Sequence, residues 1–198
     1  MIADTAGVIL AGGKSSRFGS NKALALFQDK ALISHAGDLL ASLFGEILLV
    51  TNSPETYDFL GWPMTGDIFP GAGPLAGIHA ALNKVAAPQL FVLGCDMPLV
   101  QEDLIRLLCA EAEEGWDAVV PELSRGLEPL CALYGKSCLP QVAQNLREGR
   151  CQLHRLFEQL HTKRIPEQVL RRADPGLISF ENINRLPDLE AAKLLAGR

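Results

Sequence analysis

The chain has 198 residues, 48% of them hydrophobic and 21% charged, with a formal net charge of −5. That size and apolar content suit a single soluble domain over residues 1–198, since chains of this length bury roughly 70% of their unfolded surface. The acidic balance argues against a nucleic-acid binder, which usually needs a net basic face. The start, Met1-Ile-Ala-Asp-Thr5, lacks the basic and apolar regions of a signal peptide. No run approaches the roughly 20 apolar residues of a membrane helix, so a cytoplasmic location without a membrane partner is expected. The cysteines Cys95, Cys109, Cys131, Cys138 and Cys151 are odd in number and form no C-x-x-C pair. They read as small hydrophobes or free thiols rather than disulfides or zinc ligands.

Short runs rich in Val, Ile and Leu alternate with longer amphipathic stretches. Strands are predicted at Ala6–Ala11, Glu46–Thr51, Leu90–Gly94, Ala118–Pro121, Leu130–Tyr134 and Leu177–Phe180. The first three have almost no polar alternation, as expected of strands covered on both faces. Helices are predicted over roughly Leu32–Phe44, Pro74–Lys84, Glu102–Glu114, Pro140–Glu148, Gln152–His161 and Asp188–Leu195. Pro74 suits a first helical turn, where its missing N–H costs nothing. The strand–helix alternation predicts an α/β fold whose sheet is parallel and joined by right-handed crossovers. In such sheets, ligands bind at the carboxyl ends of strands. Three of these ends are unusual: Leu10 onward, Thr51-Asn-Ser-Pro54 and Gly94-Cys-Asp-Met-Pro98. The loop Thr65–Gly77 joins the same edge ahead of a helix.

The segment after Leu10 concentrates Gly12, Gly13, Lys14, Arg17, Gly19 and Lys22. Glycines let backbone N–H groups approach an anion, and Lys and Arg supply charge, so the segment reads as a phosphate loop. The Walker template fails because five residues separate Gly13 from Gly19 and Ser20 stands where its lysine belongs. The dinucleotide fingerprint G-x-G-x-x-G fails because Gly12 and Gly13 are adjacent. The four histidines show no ligand or triad spacing, and no G-x-S-x-G appears, so zinc and hydrolase chemistries find no support.

The pattern L-A-G-G-x-x-x-R-x-G-x-x-K is present from Leu10 through Lys22. It resembles the signature of Rossmann-like nucleotidyltransferases and, with Ala-Gly-Gly and S-x-R-F-G, that of the molybdenum cofactor guanylyltransferases, the MobA family. Pro70-Gly-Ala-Gly-Pro-Leu-Ala-Gly77, Gly94-Cys-Asp-Met-Pro98, Glu128-Pro-Leu-Cys-Ala-Leu-Tyr134 and Phe180-Glu-Asn-Ile-Asn184 follow in the family's order. Two stretches depart from it: Asn21 stands where many members carry Asp, and Gly149-Arg-Cys-Gln-Leu153 is less typical. The resemblance implies a three-layer α/β fold with a mostly parallel central sheet. It also implies transfer of GMP from GTP to the phosphate of molybdopterin or Mo-molybdopterin, with release of pyrophosphate. Mg²⁺ is the implied cofactor, and cofactor-biosynthesis or molybdoenzyme-maturation proteins are implied partners.

Site residues follow from the same resemblance. Backbone groups of Leu10, Ala11, Gly12 and Gly13 are expected at the nucleotide, and Arg17 and Lys22 are expected to offset charge on departing pyrophosphate. Asp96 is the expected Mg²⁺ ligand as well as a nucleotide contact. Turn-former or helix cap is its alternative reading. Asp67 and Asn52 are expected at the nucleotide, Asn52 near guanine or ribose, although both types are common in turns. Asn182 and Asn184 alternate on an extended segment, share a side and are expected near the pterin. Lys14 has no fixed place in the pattern and reads as solvated surface. Rival readings are a cytidylyl- or sugar-nucleotide transferase of the same fold, a non-catalytic nucleotide-binding module and, more distantly, a hydride-transferring Rossmann enzyme.

Overall fold

The computed structural model describes residues 1–12, 21–112 and 115–196. Its elements in chain order are β1 (Thr5–Leu10), the hairpin β2 (Leu26–Phe27) and β3 (Lys30–Ala31), α1 (Leu32–Leu43), β4 (Ile47–Val50) and β5 (Met64–Thr65). Next come α2 (Pro74–Lys84), β6 (Gln89–Gly94), α3 (Glu102–Ala110), β7 (Ala118–Leu123), β8 (Gly126–Leu127) and β9 (Cys131–Gly135). The chain continues through α4 (Leu139–Arg147), α5 (Leu153–Leu156), β10 (Thr162–Pro166), α6 (Glu167–Leu170) and α7 (Leu186–Ala196).

The main sheet has the order β10-β7-β9-β6-β1-β4-β5, with β8 paired to β7. β1 lies inside the sheet between β6 and β4, parallel to both. β4–β5 and β7–β10 are also parallel, whereas β9 runs against both β6 and β7. The sheet is therefore mostly parallel, as expected, with antiparallel pairing at β9 and in the β7–β8 hairpin. β9 follows β7 through that tight hairpin, too short for the crossover a parallel neighbour needs.

Residues alternate between the two faces of every central strand, which fixes three layers. Ile9, Leu49, Phe91, Leu93 and Val119 pack with Ile33 and Leu40 of α1 and with Leu104 and Leu108 of α3. Val8, Leu48, Val50, Val92 and Val120 pack on the other side with Leu75 and Ile78 of α2 and Val142 and Leu146 of α4. Phe27, Leu32, Leu99, Ile183 and Leu189 form a smaller cluster that seats α7. Tight approach of α1 depends on Gly37, where an added Cβ would lie 1.6 Å from the Trp62 ring. Gly37→Ala must therefore expel that ring, and overpacking of this kind costs about 1–3 kcal/mol. At about 2–4 °C per kcal/mol the melting midpoint falls by several degrees. The same change in a Trp62→Ala background costs little, which a double-mutant cycle in thermal melts reads directly.

Two sequence expectations are corrected here. Leu177–Phe180 is no strand but a 3₁₀ turn over Ile178–Phe180, entered through Leu177 at φ 53°. The buried Asp174 carboxylate accepts the Ser179 N–H at 2.8 Å and holds that turn. The helix expected over Gln152–His161 is confined to α5, after which the chain turns into β10. Helix α3 ends at Ala110, and the last two residues of its expected span, 113 and 114, lie outside the described residues.

Candidate functional site

The carboxyl ends of β1, β4 and β6 lie side by side because these strands are adjacent and parallel. β4 delivers Thr51 and Asn52, β6 delivers Cys95 and Asp96, and β1 between them leads into the glycine-rich segment. Gly13, Lys14 and Arg17 lie outside the described residues. Ala11 is buried, and its N–H is used by the Val50 carbonyl at 3.0 Å, while the Leu10 carbonyl accepts from Cys95 N at 3.4 Å. These bonds extend the sheet past Leu10 and fix the height from which Gly12 leaves it.

Lys22 opens a short 3₁₀ turn, Lys22–Leu24, capped by Asn21, whose Oδ1 accepts the Ala23 N–H at 3.1 Å. Asn21 Nδ2 also donates to the Tyr57 hydroxyl at 3.0 Å, and that hydroxyl can return a bond to Asn21 Oδ1 at 3.3 Å. Tyr57 is buried, and desolvation raises its pKa above the usual phenol value. An amide, with its donor and acceptor, serves both partners, so Asn21 links the lysine turn to the loop after β4. Tyr57 was not singled out from the sequence because a lone tyrosine in a polar loop carries no spacing signal. The cap was readable as Asn immediately before a helical turn.

The Lys22 ammonium lies 2.6 Å from Asp96 Oδ2 and 3.1 Å from Asn184 Oδ1. Both charged side chains of the pair are mostly buried, at 18% and 19% exposure. Three segments separated by 74 and 162 positions thus meet at one ammonium. The chain behind Asn184 is held by Ile183 N, which donates to the Asp96 carbonyl at 2.9 Å. Ile183 is itself buried, so the half-buried Asn182 and exposed Asn184 flank an anchored residue. Beside Asp96, burial and the neighbouring carboxylate push the Cys95 thiol up to about 12, which leaves it protonated and no nucleophile.

A second pair forms on the β4 side. Asn52 Oδ1 accepts the Asp67 N–H and Asn52 Nδ2 donates to Asp67 Oδ2, both at 2.8 Å. The amide thereby orients the carboxylate and leaves Asp67 Oδ1 as the acceptor not tied to it. From Asp67 the loop runs to Gly73, whose φ of 69° is glycine's territory, and Pro74 then starts α2 without a side-chain cap. Phe69 of that loop lies edge-on to His79 of α2, with ring centroids 5.1 Å apart. Burial lowers the His79 pKa, and the ring braces the loop. The positive end of α2 faces the same strand edge as the two pairs, where it favours anions.

Charge is therefore arranged along the edge. Asp67 and its amide partner stand at one flank, Lys22 and Asp96 at the other, and the glycine segment springs from the strand between. Among the described residues no group of three or more His, Cys, Asp or Glu could hold a metal. A cation binding here must take most of its ligands from water and substrate. No helix of the described residues is long and apolar enough to cross a membrane.

Comparison with known proteins shows the family and the fold. The MobA-like NTP transferase domain matches residues 7–165. A molybdenum cofactor guanylyltransferase of Desulfosudis oleivorans is 38% identical, over 97% of this chain and 96% of its own. A probable molybdenum cofactor guanylyltransferase of Pelotomaculum thermopropionicum is 35% identical over 96% and 92%. The crystal structure of molybdopterin-guanine dinucleotide biosynthesis protein A from Archaeoglobus fulgidus superposes with a TM-score of 0.86 at 28% identity, covering 97% of this chain and 98% of that one. These likenesses span the central sheet, both strand-end pairs and the loop that reaches Lys22 from the C-terminal side, so this chain belongs to the MobA-like NTP transferase family, with its Rossmann-like nucleotidyltransferase fold.

Proposed function

We infer that the chain transfers GMP from GTP to the terminal phosphate of molybdopterin, releasing pyrophosphate and forming the guanine dinucleotide cofactor. An oxygen of the acceptor phosphate attacks the α-phosphorus of GTP, and the bond from that phosphorus to the bridging oxygen of the β-phosphate breaks. Both reactants are anions, so positioning and charge compensation are the main work asked of the protein. The observation that carries the reading is the meeting of Lys22, Asp96 and Asn184 at the carboxyl edge, in a chain whose relatives bear this activity in their names.

Residue roles rest on the family to which the chain belongs and on the described positions of Lys22, Asn52, Asp67, Asp96, Asn182 and Asn184. The Asp67 carboxylate, oriented by Asn52, is suited to accept N–H or O–H groups of the nucleoside, while backbone groups from Leu10 to Gly13 line the base and phosphates. Lys22 and Arg17 supply positive charge where pyrophosphate departs. Asn182 and Asn184 belong to the acceptor side. Asp96 fits Mg²⁺: it is a single, partly accessible hard oxygen donor, and Mg²⁺ commonly takes one or two protein carboxylates, completing its shell with water and phosphate. When bound, the ion would neutralise triphosphate charge. The same proposal covers residues 1–198 as one nucleotidyltransferase domain working in the cytoplasm, supplied with pterin and relieved of product by cofactor-biosynthesis and molybdoenzyme-maturation proteins.

The test is thermal stability with GTP, CTP, UTP and ATP, each with and without Mg²⁺. A ligand at about 100 times its Kd adds roughly 2.7 kcal/mol, or about 5–10 °C at this size. Selective stabilisation by GTP, enhanced by Mg²⁺, is expected. A preference for CTP or UTP keeps the chemistry and changes the product, whereas no response to any nucleotide removes the reading.

A further inference from the structure

At the acceptor flank of the same edge, β7 and β8 are joined by Ser124 and Arg125. Arg125 Nε donates to Glu128 Oε1 at 3.0 Å, and its Nη2 donates to the Phe180 carbonyl. Glu128 is largely buried, its side chain 14% exposed, against 50% for that of Arg125. One guanidinium therefore ties the turn after β7, the approach to β9 and the C-terminal segment together. Beyond Phe180 the segment is held by the Asp96 carbonyl at Ile183, by Lys22 at the Asn184 side chain and by the Asp188 carboxylate at the Asn184 N–H. Ahead of Phe180, Ser179 is held by Asp174 and by Gln101 N, so Arg125 supplies the side-chain tie at Phe180 itself and brings it from the strand edge.

Charge gives the bridge a second consequence. Burial raises the Glu128 pKa, and the Asp96 and Glu181 carboxylates push the same way while Arg125 opposes them. Glu128 therefore adds acidic charge on the flank that an anionic acceptor must approach, and the Arg125 guanidinium bonded to it offsets that charge. A planar guanidinium can bond a carboxylate and a carbonyl at once, which a lysine ammonium on a flexible stem does poorly.

We infer that Arg125 is a positioning residue for the acceptor: by bridging Glu128 to the Phe180 carbonyl it sets the Glu181–Asn184 segment against the strand edge and offsets the acidic charge facing an anionic substrate. The inference rests on the guanylyltransferase reading for its substrate but not for its structural arm. In Arg125→Ala, the KM for the molybdopterin acceptor rises about tenfold or more while the KM for GTP and the kcat at saturating acceptor stay within about twofold. Arg125→Lys, which keeps charge but not the fork, falls between. Arg164→Ala, which removes an exposed cation paired with Glu122 near the same hairpin, leaves both KM values unchanged. Hydrogen exchange on the purified chain, without substrates, is the second readout. Amides of residues 178–184 exchange about tenfold faster in Arg125→Ala, as expected when a charge-assisted hydrogen bond is lost, and those of β1 and β4 do not. An acceptor KM within twofold of wild type, an equal rise in both KM values, or unchanged exchange over 178–184 overturns the inference. Absence of product from the wild-type chain would sink the functional reading instead, and the exchange result would still decide whether Arg125 holds the segment.

Discussion

Replacing Asp96 by alanine is expected to leave a folded protein whose turnover falls by at least about 10²-fold, the loss typical of removing one preorganised electrostatic group. The fold should survive because Asp96 contributes to the local structure mainly through its backbone. Its carbonyl accepts Ile183 N, and the turn at β6 closes with Met97 N donating to the Gly94 carbonyl at 3.3 Å. Neither bond needs the side chain. What disappears is the carboxylate 2.6 Å from Lys22. Asp96→Asn is the sharper variant, since it preserves volume and hydrogen bonding but removes charge. Steady-state rates at several Mg²⁺ concentrations distinguish the readings: a metal ligand lost makes the residual rate nearly insensitive to Mg²⁺, whereas a turn-former lost lowers stability and leaves the metal dependence intact. Wild-type turnover in Asp96→Ala would take this residue out of the site.

The elements that position this pair were legible because their signals are local and strong. Continuous apolar runs marked β1, β4 and β6, and Pro74 fixed the start of α2 at the residue where it is found. Weaker or non-local signals misled. In Leu177-Ile-Ser-Phe180 apolarity reported burial, and Phe180 is indeed 1% exposed, but the conformation is set by the Asp174 carboxylate, which no periodicity encodes. β10, Thr-Lys-Arg-Ile-Pro, buries only Ile165 and carries the charges and proline that keep an edge strand from pairing further, so no strand was predicted there. The β2–β3 hairpin turns through Gln28 and Asp29, both at positive φ, where Asn-Gly would have announced it. Within the site, the motif placed Lys22, Asp96 and Asn184 at one edge, but their meeting at one ammonium is a tertiary fact. The mutual pairing of Asn52 with Asp67 is another, since each looked from the sequence like a separate contact.

Removing Lys22 is the second large change, and its signature differs from that of Asp96. In Lys22→Ala the KM for GTP should rise and kcat should fall, with a combined loss in kcat/KM of about 10²-fold, because charge-assisted contacts to phosphate oxygens are among the stronger hydrogen bonds. The ammonium sits against Asp96, so a cation binding at that carboxylate must displace it or share the oxygen atoms. Lys22→Ala should therefore lower the Mg²⁺ concentration needed for half-maximal rate while raising the GTP requirement. A lysine acting only as structural support would shift neither in that opposed way; it would lower the melting midpoint and scale kcat alone. The midpoint should fall as well, since removing one partner of a mostly buried pair leaves the other charge poorly compensated, so the opposed kinetic shifts and not the midpoint carry the test. Titrating GTP at fixed Mg²⁺, then Mg²⁺ at fixed GTP, separates the two effects in one variant. An unchanged GTP dependence would return Lys22 to holding Asp96 and Asn184 in register, and would leave the charge at departing pyrophosphate to Arg17.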